Sequence, residues 1–355
     1  MQDEIFIKKC LQIAKKGKNK VAPNPLVGAL IVREGKIISE GYHHKCGDNH
    51  AEVEAIKNAS KNDLIGSTLY CNLEPCNHQG KTPPCTKTII ESGIKKVIIG
   101  QKDPNPLVFG KGIAQLKKNG ISVKCGVLEP QCNFLNRHFI ESTIAKKPYI
   151  HLKLAASLDG KIALANGQSK WITNEAARRY SRKKRENFQS ILVGINTILS
   201  DNPNLGISKN SKNDPIRIIF DPHFKIPINS QVFRDNKFII VTLKKHITII
   251  KQKQILQKKG QILKMQDFNL KKILKKIFNL GINSILVEGG ARTANEFLTH
   301  NLVNEIDYYI SPIFLGEKGI NAFNLPQIST IKKAKYLKQV KIKHFGDNIL
   351  ISGLL

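Results

Sequence analysis

Acidic residues are scarce in this chain: 27 Asp and Glu stand against 57 Lys and Arg, a formal charge of +30 over 355 residues. So basic a balance raises nucleic acid as a partner, but two further shortages argue against it. Aromatic residues are 6% of the chain, with a single tryptophan, so a platform for stacking bases is missing. Arginine, the better reader of phosphates and guanine edges, is thin beside lysine, and the lysines are scattered rather than gathered. No apolar run approaches the roughly 20 residues that a membrane span needs. Met1-Gln2-Asp3-Glu4 has none of the order of a signal peptide. Cysteine is absent after Cys132, and the seven present are an odd number, which argues against a disulfide framework. The expectation is a cytoplasmic protein with no membrane and no nucleic-acid partner, whose positive surface draws in phosphorylated small molecules.

The length fits two domains, and 41% hydrophobic residues can fill two cores. Lys146-Lys147-Pro148 breaks a helical stretch and marks the boundary, giving domains 1–146 and 147–355. In the first, periodicity predicts a helix from Asp3 to Lys16 and a hairpin, Val27 to Val32 and Lys36 to Glu40, turning at Glu34-Gly35. A helix opened by Asn49-His50 follows, with Val53, Ile56 and Ala59 as its core face. Strands are expected at Thr68–Leu73, Lys95–Gly100 and Ile121–Gly126, and helices at Thr86–Gly93, Leu107–Gly120 and Arg137–Ala145. Cys76 is a candidate for a helix N-terminus, where the dipole favours its thiolate. The second domain reads as another α/β unit with a mostly parallel sheet. Its strands start at Tyr149, Gln189, Ile216, Phe238, Ser284, Glu305 and Asn348. Its helices cover Asn174–Arg185, with Thr173 as N-cap, Leu270–Leu280 and Arg292–Thr299.

The chemistry is concentrated between His50 and Cys85. His50-Ala51-Glu52 is followed by Pro75-Cys76 and, after eight intervening residues, by Cys85. An imidazole and two thiols are ligands of the borderline-soft type that Zn²⁺ takes, and three of them leave a fourth tetrahedral position open. Glu52 is spare as a ligand and near enough to move protons. H-x-E followed by P-C and a further Cys is the signature of zinc-dependent deaminases of nitrogen bases, in which the metal makes hydroxide available near pH 7. Cys46 stays open as a competing ligand, and so does a four-ligand structural zinc site.

The eight-residue insert narrows the class, since the generic signature has two residues there. The stretch Glu74-Pro75-Cys76-Asn77-His78-Gln79-Gly80-Lys81-Thr82-Pro83-Pro84-Cys85 closely resembles the bacterial riboflavin-biosynthesis deaminases. Pro23-Asn24-Pro25-Leu26-Val27-Gly28 and Gln101-Lys102-Asp103-Pro104-Asn105-Pro106 carry the same likeness. The resemblance implies a cytidine-deaminase-like α/β/α domain in which His50, Cys76 and Cys85 hold one zinc ion. It makes Glu52 the proton shuttle and puts Asn24 on the pyrimidine. It also suggests substrate contacts at His43 and His78 and a phosphate contact at Lys81, each of which reads equally well as a surface side chain.

No G-x-G-x-x-G follows a strand in the second domain, so a Rossmann site is excluded. Its nearest phosphate cradle is Glu288-Gly289-Gly290-Ala291-Arg292, two glycines ahead of a helix N-terminus. The run from Lys153 to Ala163, Ser169-Lys170-Trp171-Ile172-Thr173, Gly194-Ile195-Asn196-Thr197 with Asp201-Asn202-Pro203, and Val287-Glu288-Gly289-Gly290 resemble the reductase domain of the same pathway. That resemblance implies a dihydrofolate-reductase-like α/β fold and NADPH as cofactor. NADPH contacts would fall at Ala155, Trp171, Thr197, Asp201 and the loop Gly290, Ala291, Arg292, Thr293, Ala294, Asn295 and Glu296. Substrate contacts would fall at Ser169, Arg185, Leu205 and Glu288. One departure stands out: the family's L-x-x-R becomes Leu205-Gly206-Ile207-Ser208, which removes a cation unless Lys209 or Lys212 replaces it. Lys153 and Asp201 are both candidates for proton donor.

The reading is a bifunctional, homo-oligomeric enzyme of riboflavin synthesis acting on a phosphorylated pyrimidine. Two rivals stay open: a nucleic-acid base deaminase, and a zinc-binding module with an inactive reductase domain.

Overall fold

The structure, a computed structural model, describes residues 2–18, 20–79, 83–106, 108–208 and 214–355. The chain divides into two units, Met1–Lys146 and Lys147–Leu355. The elements of the first are α1 (Gln2–Ala14), β1 (Gly28–Arg33), β2 (Lys36–Tyr42), α2 (Ala51–Lys57), α3 (Lys61–Leu64), β3 (Thr68–Leu73) and α4 (Cys85–Glu91). They continue with β4 (Lys96–Gln101), α5 (Lys111–Lys118), β5 (Ser122–Cys125), α6 (Glu129–Leu135) and α7 (Arg137–Ala145). The sheet runs β2-β1-β3-β4-β5, antiparallel through the first three strands and parallel through the last three. Glu34 and Gly35 both have positive φ, 50° and 78°, the turn whose twist suits a two-residue hairpin.

Period two in the strands sorts the side chains into two cores. Ala29, Ile31, Leu69, Cys71, Val97 and Ile99 face α2 and α4 through Ala51, Ala55, Cys85 and Ile89. The intervening Leu30, Val32, Tyr70 and Ile98 face α1 and α6 through Phe6, Ile7, Cys10, Ile13 and Cys132. The result is three layers, helix on sheet on helix. Gly41 lets α2 press onto β2, because a Cβ there would lie 2.4 Å from the Ala51 carbonyl and the Ala55 nitrogen. The inner face of α2 is therefore Ala51, Glu52, Ala55 and Ile56, whereas Val53 and Ala59 are only half-buried. The helix expected from Leu107 starts instead at Lys111, since Gly110 has the left-handed φ of 72°. Cys76 begins no helix; the helix starts at Cys85.

The second unit contains β6 (Tyr149–Ser157), β7 (Lys161–Ala163), α8 (Glu175–Lys184), β8 (Ser190–Gly194), α9 (Ile195–Asp201), β9 (Ile216–Phe220), β10 (Phe238–Leu243) and α10 (Ile249–Leu256). It ends with β11 (Gln261–Met265), α11 (Leu270–Asn279), β12 (Ser284–Val287), α12 (Ala291–Thr299), β13 (Glu305–Ser311), β14 (Ile320–Asn321), β15 (Lys338–Phe345) and β16 (Asn348–Leu354). Nine strands form one sheet in the order β11-β10-β9-β8-β12-β6-β13-β16-β15, all running the same way except β16, which is antiparallel to both its neighbours β13 and β15. On α11, Leu270, Ile273, Leu274 and Ile277 make an apolar stripe on the core, each worth about 1.5–3 kcal/mol of burial. Lys271, Lys272, Lys275 and Lys276 fill its exposed face, so this dense cluster of positive charge is a solvated helix surface. Asn174 rather than Thr173 caps α8: its Oδ1 accepts from the Ala177 N–H, while Thr173 is buried. Among the described residues, no helix is long and apolar enough to cross a membrane.

Candidate active sites

In the first unit, the carboxyl end of β3 and the starts of α2 and α4 converge. His50 is the residue that precedes α2, in extended backbone, and Cys85 is the first residue of α4. Cys76 lies on the loop just after β3. Their donor atoms all fall within 4.8 Å of one another. His50 Nδ1 is 3.1 Å from Cys85 Sγ and 3.5 Å from Cys76 Sγ. The Cys85 N–H, at the helix start, donates to Cys76 Sγ over 3.4 Å. The helix end thus acts on the Cys76 sulfur although Cys76 opens no helix. The Cys85 thiol and then His50 hold the Cys76 thiol far below its ordinary range. Cys46 lines the neighbouring cavity but is not among the converging donors.

Glu52 is buried on the first turn of α2, and burial pushes its carboxyl up to about 7. A carboxyl poised near neutrality is suited to take a proton and give it back. His50, Cys76 and Glu52 border a cavity of about 350 Å³ that Asn24, His43, His78, Asp103 and Asn105 also line. His43 is buried, with Nδ1 3.0 Å from the Asn49 carbonyl and Nε2 3.0 Å from Asn24 Nδ2. A carbonyl only accepts, so Nδ1 carries the proton and Nε2 accepts from the Asn24 amide. Desolvation lowers the His43 pKa, in keeping with this neutral form. His43 is thus no surface side chain: it fixes the Asn24 amide and leaves Oδ1 as the atom for a ligand. His78 is exposed at the cavity's edge, and Lys81 lies outside the described residues.

Sequence reasoning gave Glu74 no role. It is buried, and its carboxylate accepts from the N–H groups of Asp103, Gly110, Gly112 and Ile113 at 2.9–3.2 Å. It fastens the segment that brings Asp103 and Asn105 to the cavity. Burial raises the Asp103 carboxyl to about 6. Both residues stand in motifs visible in the sequence, but their partners lie dozens of positions away.

In the second unit a cleft of about 450 Å³ is walled by β6, α8, the segment after α9 and the end of β12. It brings together Trp171, Asp201, Arg185, Leu205, Glu288 and Lys153 from the expected set. Ser169, Ala155, Thr197 and the loop from Gly290 to Glu296 are not part of its wall. Gly194 and Gly289 let the first turn of α12 approach the end of β8, since a Cβ at either would meet the Thr293 side chain within 2.8 Å. This close approach gathers the Gly194–Thr197 and Gly290–Glu296 segments.

Arg185 donates from Nε and Nη2 to the two oxygens of Glu288, both at 2.9 Å, and from Nη1 to the Gly206 carbonyl at 2.6 Å. Burial would raise the Glu288 carboxyl, but Arg185 and then Lys153 hold it below its usual range. Arg185 is therefore first a partner of Glu288, which the sequence motifs did not reveal. Lys153 stands half-buried beside them, and desolvation lowers its pKa. Asp201 is paired with Lys170 at 3.0 Å. Trp171 is exposed, with the Arg178 guanidinium 4.3 Å over its ring. It is no core residue.

These two sites define a class: a zinc-type base deaminase unit followed by a reductase unit. Comparisons with known proteins agree. Residues 1–101 match the family described as the cytidine and deoxycytidylate deaminase zinc-binding region, and residues 148–351 match the RibD C-terminal domain. The riboflavin biosynthesis protein RibD of Aquifex aeolicus is 40% identical over 352 residues, 98% of this chain and 97% of its own. A solved Thermotoga maritima deaminase/reductase, diaminohydroxyphosphoribosylaminopyrimidine deaminase/5-amino-6-(5-phosphoribosylamino)uracil reductase, is 37% identical with a TM-score of 0.87, covering 99% of this chain and 98% of that one. Acinetobacter baumannii RibD aligns with a TM-score of 0.90 at 30% identity, again over 99% and 98% of the two chains. The chain belongs to the RibD family of riboflavin biosynthesis proteins. It is a bifunctional enzyme with a zinc-binding, cytidine-deaminase-like domain and a dihydrofolate-reductase-like domain that uses NADPH.

Proposed function

We propose that the first unit hydrolyses an exocyclic amine from 2,5-diamino-6-(5-phosphoribosylamino)pyrimidin-4-one, and that the second reduces the ribosyl group of the product to give 5-amino-6-(5-phosphoribitylamino)uracil. The observation that carries the first step is the convergence of His50 Nδ1, Cys76 Sγ and Cys85 Sγ beside buried Glu52. One imidazole and two sulfurs fit zinc, and no fourth protein donor joins them among the described residues. Zinc held there supplies a Lewis acid that makes hydroxide available at neutral pH. Glu52 takes the proton from the attacking water and returns it to the departing ammonia. Asn24, steadied by His43, presents Oδ1 to a donor on the pyrimidine, and His78 at the cavity's edge meets its phosphoribosyl group.

In the second unit the nicotinamide cofactor supplies the hydride to C1 of the ribosyl group. Ala155, Trp171, Thr197, Asp201 and the Gly290–Glu296 loop hold the cofactor, and Ser169, Arg185, Leu205 and Glu288 hold the substrate. Of the two proton-donor candidates Lys153 is favoured, because burial makes its ammonium readier to release a proton, while Asp201 is engaged by Lys170. The protein works as a cytoplasmic homo-oligomer without nucleic acid or membrane partners; the absence of a nucleic-acid partner is supported by the α11 lysines, which form the solvated face of an amphipathic helix. The test follows the order of events. Ammonia should be released from the diamino substrate without NADPH, and NADPH should then be oxidised once for each ammonia formed. Oxidation of NADPH by the undeaminated substrate at an equal rate would contradict the proposed order.

A further inference from the structure

Alternation along β6 and β13 puts two chemically unlike side chains on one face of the sheet. Leu152 and Leu154, like Ile306, point into the core on the far side. Lys153 and Tyr309 point the other way, and both stand in the wall of the reductase cleft. The strands are parallel neighbours, with Asp307 opposite Lys153 and Tyr309 opposite Ala155. The Lys153 ammonium lies 5.6 Å from the centre of the Tyr309 ring. That is inside the range of about 6 Å at which a cation is drawn to the negative face of an aromatic ring.

The carboxylates around this ammonium are engaged elsewhere. Glu288 gives both oxygens to Arg185, and Asp307 is bound by Lys184, Ser352 and His151. Among the described residues, no hydrogen bond or ion pair holds Lys153. Desolvation works hardest against its charge, Glu288 and Asp307 favour it from farther off, and Arg185 opposes it. The other charged groups of the cleft wall are Lys170 with its partner Asp201, Arg178 on Trp171, and Arg182.

The ring itself is fixed. Tyr309 is 1% exposed, and Ala177, Leu350, Ala155, Tyr180 and Phe345 pack around it. Burial, and then Asp307, raises its phenol above the ordinary range, so the contact is with a neutral ring and not with a phenolate. The hydroxyl is buried without a hydrogen bond. What Tyr309 offers its neighbour is therefore the ring face. A ring holds an ammonium without occupying any of its three N–H donors, whereas a carboxylate would accept at least one.

We propose that Tyr309 is a positioning residue of the reductase reaction, whose ring face holds the Lys153 ammonium at the cleft wall in the charged form that gives a proton to the substrate. The inference rests on the reading of Lys153 as proton donor above. Desolvation loosens the proton on Lys153, and the ring opposes its loss until substrate arrives.

The test replaces Tyr309 in the full-length protein by phenylalanine and by phenylalanines bearing one, two and three ring fluorines, which weaken the negative ring face at nearly constant shape. The readout is the pH at which Lys153 becomes half-reactive toward acetic anhydride, followed by peptide mass spectrometry without NADPH. Tyr309→Phe should keep this midpoint within about 0.3 units of wild type. The fluorinated series should lower it stepwise, by about 0.5–1.5 units in all. The alkaline limb of kcat for reduction should move down in the same order, with KM for the deaminated substrate changed less than about twofold. A midpoint indifferent to fluorination would overturn the proposal. So would a Tyr309→Phe shift as large as that of the trifluorinated ring, which credits the hydroxyl, or a series that raises KM and leaves the kcat profile in place. Lys153→Met reducing substrate at the wild-type rate would instead defeat the proton-donor reading, a failure that the labelling series does not share.

Discussion

Around His50 the chain gathers thiols, carboxylates and imidazoles at the end of one strand and the starts of two helices. Around Arg185 it gathers five cations and two carboxylates from segments spread over more than a hundred residues. The first arrangement is unfinished without a cation, because among the described residues His50 is the one basic group that acts on both Cys76 and the raised Glu52 carboxyl. The second is electrostatically self-supporting in its Arg185–Glu288 pair, with further positive charge left for phosphorylated ligands. The difference teaches where each unit is fragile: the first in its ligands, the second in its ion pairs.

Removing a ligand should break the comparison most sharply. Cys85→Ser is expected to lose zinc and about a thousandfold or more in ammonia release. Reduction of supplied deaminated substrate should stay within about twofold, and parallel assays of the two reactions check this. In the second unit the corresponding break is Glu288→Gln, which leaves the buried Arg185 guanidinium without its carboxylate. The expected loss is about 3–5 kcal/mol of stability in that unit, read by chemical unfolding, with zinc content unaltered.

A smaller effect sharpens the contrast through pH. His151 is buried between Glu305 and Asp307, 3.4 and 3.3 Å from their oxygens, and Lys184 and Ser352 also bond Asp307. Burial would raise the Asp307 carboxyl, but His151 and Lys184 pull it down to about 2 from an ordinary 3.8. A lowered carboxylate stabilises the fold fully above its unfolded value, and that contribution is lost as pH falls through the folded one. The second unit should therefore lose about 2 kcal/mol between pH 5 and pH 2, and Asp307→Asn should abolish this part of the acid dependence. Unfolding curves across that range provide the measurement.

How much of this was legible follows from how far apart the interacting residues lie. The three converging donors were readable because His50, Cys76 and Cys85 each stand at a junction marked by local signals: an H-x-E triplet, and prolines beside both cysteines. Thr68–Leu73 coincides with its expected span, and the strands at Ile216, Phe238 and Ser284 start where expected, since buried strands are dominated by apolar and β-branched residues. The edge strand β15 escaped notice because almost all its residues are exposed, so burial leaves no period to detect. The Arg185–Glu288 pair spans 103 positions, and nothing in either segment announces the other. His43 read equally as a substrate contact or a surface histidine; the fold buries it at the cavity, and its bonds to Asn49 and Asn24 were not readable from the sequence.

Metal content and ammonia release in wild type and Glu52→Gln, measured on the same preparations, test the central claim most directly. The account predicts one zinc per chain in both proteins, with deamination in the variant reduced by about 10²- to 10⁴-fold. Zinc-loaded Glu52→Gln that still releases ammonia at the wild-type rate would contradict it.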